Sequence, residues 1–222
     1  MSERMRIPKP TARRLSLYLR ELHERIQSGR ERVSSKVLGD ALGLTDAQVR
    51  KDLACFGQFG QPGVGYRAAD LSSRIRHIMG RDQGWSLALV GVGNIGRAIL
   101  AYRGFREDGF QIVAAFDESP QVVGQKINGF RIMPMDALPH EVRERHIQIG
   151  VIAVPSEMAQ EVADRLVEAG VEGILNFAPR RLSVPPRVSV GVVDLTVALE
   201  QLAFDISVHQ GRTTMDPGVR TC

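Results

Sequence analysis

Cysteine is nearly missing from this chain: its 222 residues include two, Cys55 and Cys222, far apart and in no C-x-x-C pair. That argues against a disulfide scaffold or a cysteine zinc site and fits a reducing cytoplasm. No apolar run reaches the ~18 residues of a membrane span. The opening Met1-Ser-Glu-Arg-Met-Arg leads into no apolar core of a signal peptide. The five histidines, His23, His77, His140, His146 and His209, fall in no metal-ligand spacing. None stands beside a strand end with a partner arranged for proton transfer, so no catalytic residue is assigned. No internal repeat is present. With 43% hydrophobic and 24% charged residues, the chain is too apolar for general disorder. Its length fits one large domain or two modest ones.

The net charge of +4 is unevenly placed. Residues 1–80 hold 15 Lys and Arg against 8 Asp and Glu, whereas residues 81–222 hold 14 against 17. Such a basic first third fits a module for a polyanion, or a solubility bias with no partner.

Residues 11–28 predict a helix on the stripe Leu15, Leu17, Leu19, Leu22 and Ile26, stopped by Gly29. Two short helices follow. Ser34 or Ser35 caps the first, with Val37, Leu38, Ala41 and Leu42 apolar. Gly43-Leu44-Thr45 makes the turn. Thr45 caps the second, Asp46 to about Phe56, with Val49 and Leu53 inward. That order is the helix-turn-helix pattern. Gln48, Arg50 and Lys51 lie off the inner face, where they can meet base edges in a major groove. Ser34, Ser35 and Lys36 suit phosphates. Residues 57–67 hold four glycines and a proline and predict a wing, with Gly63, Tyr66 and Arg67 near DNA. The same residues also fit a solvated charged face. Cys55 reads as a small packed residue. Residues 70–79 predict a linking helix on Leu71, Ile75 and Ile78, and Gly80 to Gly84 a domain boundary.

Beyond it, strands alternate with helices, the pattern of a doubly wound parallel sheet. Strands are predicted at Trp85–Val90, at 110–116 ending on Asp117, at Ile149–Val154 and at Gly173–Phe177. Helices are predicted up to about Tyr102, around Ala159, Val162, Leu166 and Val167, and over 194–208, with Leu195, Leu199, Leu202 and Ile206 on one side. Gly91-x-Gly93-x-x-Gly96, with Val92, Asn94 and Ile95 between, joins the first strand to its helix. In that context the glycines permit a tight turn, a close pyrophosphate and a helix packed on the strand, with phosphate on the helix amides. Asp117 lies 21 residues past Gly96. A carboxylate there accepts both ribose hydroxyls and repels a 2′-phosphate, favouring NAD(H) over NADP(H). A turn of this kind also accommodates coenzyme A, or no nucleotide.

Together these residues resemble the Rex family, the redox-sensing transcriptional repressors of bacteria. The likeness runs from Ile7 to about Phe204. It rests on Ile7-Pro8, Thr11-Ala12, Arg14-Leu15, Tyr18-Leu-Arg20, Val33-Ser-Ser35, Val49-Arg-Lys-Asp-Leu53, Phe56-Gly57, Gly63-Val-Gly-Tyr66, the glycine motif with Asn94, Tyr102, Phe116-Asp117, Asn176-Phe177 with Pro179, and Val193-Asp194-Leu195. The resemblance implies a winged-helix DNA-binding domain over residues 1–80 and a Rossmann NAD(H)-binding domain over 85–193. It also implies a dimerisation helix over 194–208, swapped onto the partner of a homodimer, ahead of a loose tail from 209. It implies a palindromic double-stranded operator, release by NADH, and competition by NAD+ without that effect. By position, Arg20, Tyr102 and Asp194 match family residues that link cofactor to domain closure, and Val154, Pro155, Asn176, Phe177, Ala178 and Pro179 line the nicotinamide side. An apolar pocket of that kind disfavours the cationic ring of NAD+ and so prefers NADH. Cys55 departs from a frequent tyrosine, and Ala153 from a frequent threonine. Two rivals stand beside this reading: an NAD-dependent oxidoreductase with a fused helical dimerisation module, and a coenzyme A-binding regulatory protein.

Overall fold

The computed structural model describes residues 8–57 and 64–210. Gly63, Cys222 and most of the expected tail lie outside them. The chain divides into two compact units between Gly84 and Trp85.

The first unit is helical. Helix α1 (Lys9–Gln27) begins earlier than expected because Pro10 fits its first turn, where a missing N–H is no loss. Strand β1 (Arg32–Val33), α2 (Ser35–Leu42) and α3 (Asp46–Ala54) follow, then β2 (Tyr66–Arg67) and α4 (Ala68–Ile78). β1 and β2 pair antiparallel, Arg32 with Arg67 and Val33 with Tyr66. Leu15, Tyr18, Leu22, Leu38, Val49, Leu53, Leu71 and Ile75 close the core. Ser34 Oγ accepts the Val37 N–H at 3.2 Å and Thr45 Oγ1 the Gln48 N–H at 3.1 Å, capping α2 and α3. The turn between them is tight. A Cβ on Gly39 would meet the Leu44 carbonyl at 2.6 Å, so only glycine lets the α2 backbone come this close.

The second unit is a seven-stranded sheet in the order β5-β6-β4-β3-β7-β8-β9. Its strands are β3 (Trp85–Val90), β4 (Phe110–Asp117), β5 (Lys126–Ile127), β6 (Phe130–Pro134), β7 (Ile149–Ile152), β8 (Gly173–Asn176) and β9 (Ser189–Val192). Only β5 and β6 pair antiparallel; the others run parallel. Side chains alternate across β3. Ala88 and Val90 pack with α7 (Leu138–Glu144) and α8 (Ala159–Ala169), and Leu87 and Leu89 pack with α5 (Asn94–Ala101) on the other face. The short α6 (Gly104–Glu107) leads into β4. β7 ends at Ile152, two residues before the expected Val154. Ala153 still donates its N–H to Val90 at 2.8 Å, and Val154 and Pro155 form the loop beyond.

The hairpin β5–β6, helix α7 and strand β9 were not among the expected elements. Helix α9 (Leu195–His209) runs one residue later at each end than the expected 194–208, and Asp194 caps it by accepting the Thr196 and Val197 N–H groups at 2.9 and 3.1 Å. No residue of α9 is buried. Leu195, Leu199, Leu202 and Ile206 are exposed as expected for one side, but so are Val197, Phe204 and Val208 on the rest of its surface. Among the described residues, no helix is long and apolar enough to cross a membrane.

Candidate functional site

The strand order reverses at β3, whose neighbours β4 and β7 are reached by crossovers in opposite directions. The carboxyl ends of β3 and β7 therefore part and leave a crevice, the usual ligand position in an open parallel sheet. Here it is a cleft of about 640 Å³. One side is Gly91, Val92, Gly93 and Asn94; the other is Ala153, Val154, Pro155 and Met158; Asp117, Glu118 and Ser119 close the end.

Each glycine has a separate task. Gly91 sits at φ +94° with its Cα against the end of β7, where a Cβ would meet the Ala153 carbonyl at 2.6 Å. A Cβ on Gly96 would lie 2.0 Å from the Gly91 carbonyl, so the bare Gly96 lets α5 start directly on the turn. A Cβ on Gly93 would meet nothing within 4 Å. Its bareness serves the empty space of the cleft. The first amides of α5 have no helical acceptor and present positive dipole ends there.

Asp117 ends β4 and is held by backbone. Its Oδ2 accepts the Val92 N–H at 2.7 Å and its Oδ1 the Ser119 N–H at 2.8 Å. Each oxygen keeps a second acceptor site for a hydroxyl. Arg97, which the sequence reading missed, also lines the cleft and donates from Nε to the Val92 carbonyl at 3.1 Å. The signal was its spacing: four residues after Gly93, it lies on the same side of α5. A guanidinium beside helix amides suits a diphosphate.

The other expected ligand residues do not line this cleft. Ile95 is exposed and Gly96 is buried beneath the turn. Tyr102 follows α5, 61% exposed, stacked edge-to-face on Phe105 at 4.9 Å beside a second cleft. Asn176 is wholly buried at the end of β8. Its amide donates to the Ala178 and Arg180 carbonyls and accepts the Ala178 N–H, so it pins the following turn. Ala178 is in the core, Pro179 is exposed, and Phe177 packs partly against the α5 side of the sheet. Among the described residues no cluster of His, Cys, Asp or Glu could hold a metal ion.

In the helical unit, Arg50 and Lys51 are exposed on α3, and Arg50 pairs with Asp46 at 2.6 Å. Lys36 is exposed at the start of α2, beside the half-buried Ser34 and Ser35. Arg67 is exposed, while Tyr66 packs partly on the core. Arg20 is exposed on α1. Two sequence expectations need correction. Cys55 is exposed, because it falls past the last turn of α3 and off the Val49/Leu53 stripe. Gln48 is not turned wholly outward: it is half-buried and donates from Nε2 to Asp52 Oδ1 at 2.9 Å.

Asp52 is the residue the sequence reading overlooked. It is 2% exposed, and four side chains donate to it. Arg14 reaches Oδ2 from Nε at 2.5 Å and Oδ1 from Nη2 at 2.7 Å; Tyr18 donates its hydroxyl at 2.8 Å; Gln48 and a long contact from Thr11 complete the set. Burial alone would raise the carboxyl pKa, but hydrogen bonds from Arg14, Tyr18 and Gln48 outweigh it and hold Asp52 below the ordinary 3.8. Burial, then the bond to Asp52, pushes the Tyr18 hydroxyl up, and the Asp52 bond raises Arg14 further. The signal was a carboxylate within the inner stripe of α3, between Val49 and Leu53.

Comparison with known proteins covers both units. Residues 6–54 match the family "Putative DNA-binding protein N-terminus", and residues 82–180 match "CoA binding domain". The redox-sensing transcriptional repressor Rex of Carboxydothermus hydrogenoformans is 51% identical over 201 residues, 90% of this chain and 97% of that protein. That of Desulfitobacterium hafniense is 47% identical over 206 residues, 93% and 98% of the two chains. Among solved structures, RSP in complex with beta-NAD+ and operator DNA aligns with a TM-score of 0.87 at 34% identity, over 92% of this chain and 94% of that one. RSP in complex with beta-NADH aligns with a TM-score of 0.84 at 32% identity, over 92% and 96%. With such identity along nine-tenths of its length, the chain belongs to the Rex family of redox-sensing transcriptional repressors, which are not enzymes.

Proposed function

We propose that this protein represses transcription as a homodimer on operator DNA, and that NADH in the cleft of the second unit releases it. One observation carries the reading. A single chain joins a capped helix pair with exposed basic groups to a glycine-motif cleft ending in Asp117, and the similar RSP was crystallised both with beta-NAD+ and operator DNA and with beta-NADH. Arg50 and Lys51 on α3 meet the major groove. Ser34, Ser35 and Lys36 meet the backbone, and Tyr66 and Arg67 meet the backbone or the minor groove.

In the cleft, the α5 amides and Arg97 take the diphosphate, and Asp117 takes the ribose hydroxyls. A carboxylate there opposes a phosphorylated ribose, which disfavours NADP(H) and coenzyme A alike. The apolar wall of Ala153, Val154, Pro155 and Met158 favours the uncharged ring of NADH over cationic NAD+. The exposed apolar surface of α9 supports a dimer in which each α9 is buried against the partner. Arg20, Tyr102 and Asp194 carry the switch: a charge-assisted pair between Arg20 and Asp194, with the Tyr102 hydroxyl as alternative partner, holds one domain arrangement. DNA and NADH then weaken each other by the same factor.

The test begins with selection of binding sites from a randomised duplex library by the full-length protein in NAD+. Fluorescence anisotropy on the selected duplex, at fixed salt, follows. Binding reversed by NADH and held in NAD+ supports the reading. No enriched sequence, or binding indifferent to NADH, refutes it. Arg20→Ala and Asp194→Ala variants that retain wild-type release would refute the switch alone.

A further inference from the structure

We infer that the Asp52 carboxylate fixes the orientation of the Gln48 amide, so that α3 offers DNA a carbonyl acceptor and selects adenine at the contacted position. The inference rests on the reading of α3 as the major-groove helix.

Gln48 has two chemically opposite ends, and a free glutamine turns over to present either. Here it is not free. Asp52 is buried and already receives both Arg14 groups and the Tyr18 hydroxyl. A carboxylate in that setting only accepts. The Gln48 Nε2 lies 2.9 Å from Asp52 Oδ1, and the inverted amide would put two acceptors at that distance. The Gln48 backbone is held as well, because its N–H is bound by Thr45 Oγ1. Oε1 makes no hydrogen bond within the described residues, so on this half-buried side chain it remains an available acceptor.

An available acceptor in the groove demands a donor from the base. In the major groove, adenine N6 and cytosine N4 donate, whereas guanine O6 and thymine O4 accept. Nε2 keeps a second N–H beside Oε1. That pair of groups matches N7 and N6 of adenine, and cytosine has no acceptor to meet the N–H. Asp52 therefore acts at one remove from the DNA, as a positioning residue, and Gln48 is the residue that discriminates. The same carboxylate also joins α1 to α3, so its effect on base choice has to be separated from its effect on folding.

The experiment uses the full-length protein with NAD+ and its selected duplex. Each half-site should contain an adenine whose preference disappears in Gln48→Met while the other positions keep theirs. Replacing that adenine by hypoxanthine, paired with cytosine, turns the N6 donor into an acceptor and should weaken wild-type binding by about tenfold. Asp52→Asn, used if its circular dichroism matches wild type, should reduce the penalty to about twofold, because a neutral amide lets Gln48 turn over. The hypoxanthine measurement on wild type needs no variant to fold. Equal wild-type affinity for adenine and hypoxanthine, with Gln48→Met still losing preference there, overturns the fixed orientation and leaves α3 in the groove. Unchanged preferences at every position in Gln48→Met instead overturn the contact on which the inference rests.

Discussion

Two alanine substitutions three residues apart should fail in opposite ways. At Gly96 an added Cβ would lie 2.0 Å from the Gly91 carbonyl, more than an ångström short of ordinary contact. That carbonyl has little room to retreat, because Gly91 is itself against the end of β7, where even a Cβ on it would meet the Ala153 carbonyl at 2.6 Å. The start of α5 must lift instead. Overpacking of this severity costs about 3 kcal/mol. Alanine's better helix propensity returns about 1 kcal/mol. The net loss of about 2 kcal/mol lowers Tm by about 4–8 °C for a chain of this size. Gly93 has φ −74°, which alanine adopts freely, and open space at its Cβ position. Gly93→Ala should leave the ligand-free Tm within about 2 °C of wild type, because the loss of an N-cap glycine and a stiffer unfolded chain oppose each other. In the proposed cofactor site its methyl would stand where the pyrophosphate passes, so NADH affinity should fall by at least about tenfold. Thermal melts without ligand, paired with calorimetric titration of NADH, read both quantities. The reasoning is refuted if Gly93→Ala melts as low as Gly96→Ala, or if it binds NADH as wild type does.

Further expectations follow from the same geometry. Asp117→Asn removes one acceptor oxygen and the repulsion of a 2′-phosphate; NADH should weaken by about tenfold while the NADPH/NADH affinity ratio rises, and an unchanged ratio by titration counts against the ribose contact. Folding lowers the Asp52 pKa below 3.8, so its stabilisation is complete above that value and is lost as pH falls through the folded pKa. Urea midpoints of the full-length protein should therefore drop more between pH 6 and pH 3 than those of Asp52→Asn, and equal drops would exclude Asp52 as the cause. Leu199→Glu with Leu202→Glu should yield a monomer by light scattering, because a charge at each position opposes burial of α9; a persistent dimer would place the interface elsewhere.

The features legible in the sequence are those whose spacing is itself the mechanism. The glycine motif, its position between β3 and α5, Asp117 at the end of β4, and the Ser34 and Thr45 caps all work through short-range geometry that a linear reading captures. The missed elements lacked such a signal or had one that was not used. β9 is four residues long, and α7 has only two buried residues, Leu138 and Val142. The β5–β6 hairpin was announced by Asn128-Gly129, both at positive φ as a two-residue turn of this kind requires. Asn176 shows a different limit. Its side chain type fits a ligand contact, but its burial decides that it holds backbone. Asp52 could be found only by asking why a carboxylate stands in an apolar stripe.

That carboxylate has a mechanical consequence. Thr11, Arg14 and Tyr18 of α1 all converge on Asp52 of α3, so the first half of α1 is fastened to α3 through one carboxylate. Nineteen residues make α1 about 28 Å long. α3 is clamped along the first half of α1, and Arg20 rides just past the clamp. In the proposed switch, a pull on Arg20 would pass through this clamp to α3 and the side chains proposed to read the groove. In the proposed dimer, two such clamped helix pairs turned together would change the spacing at which the protein meets its two half-sites.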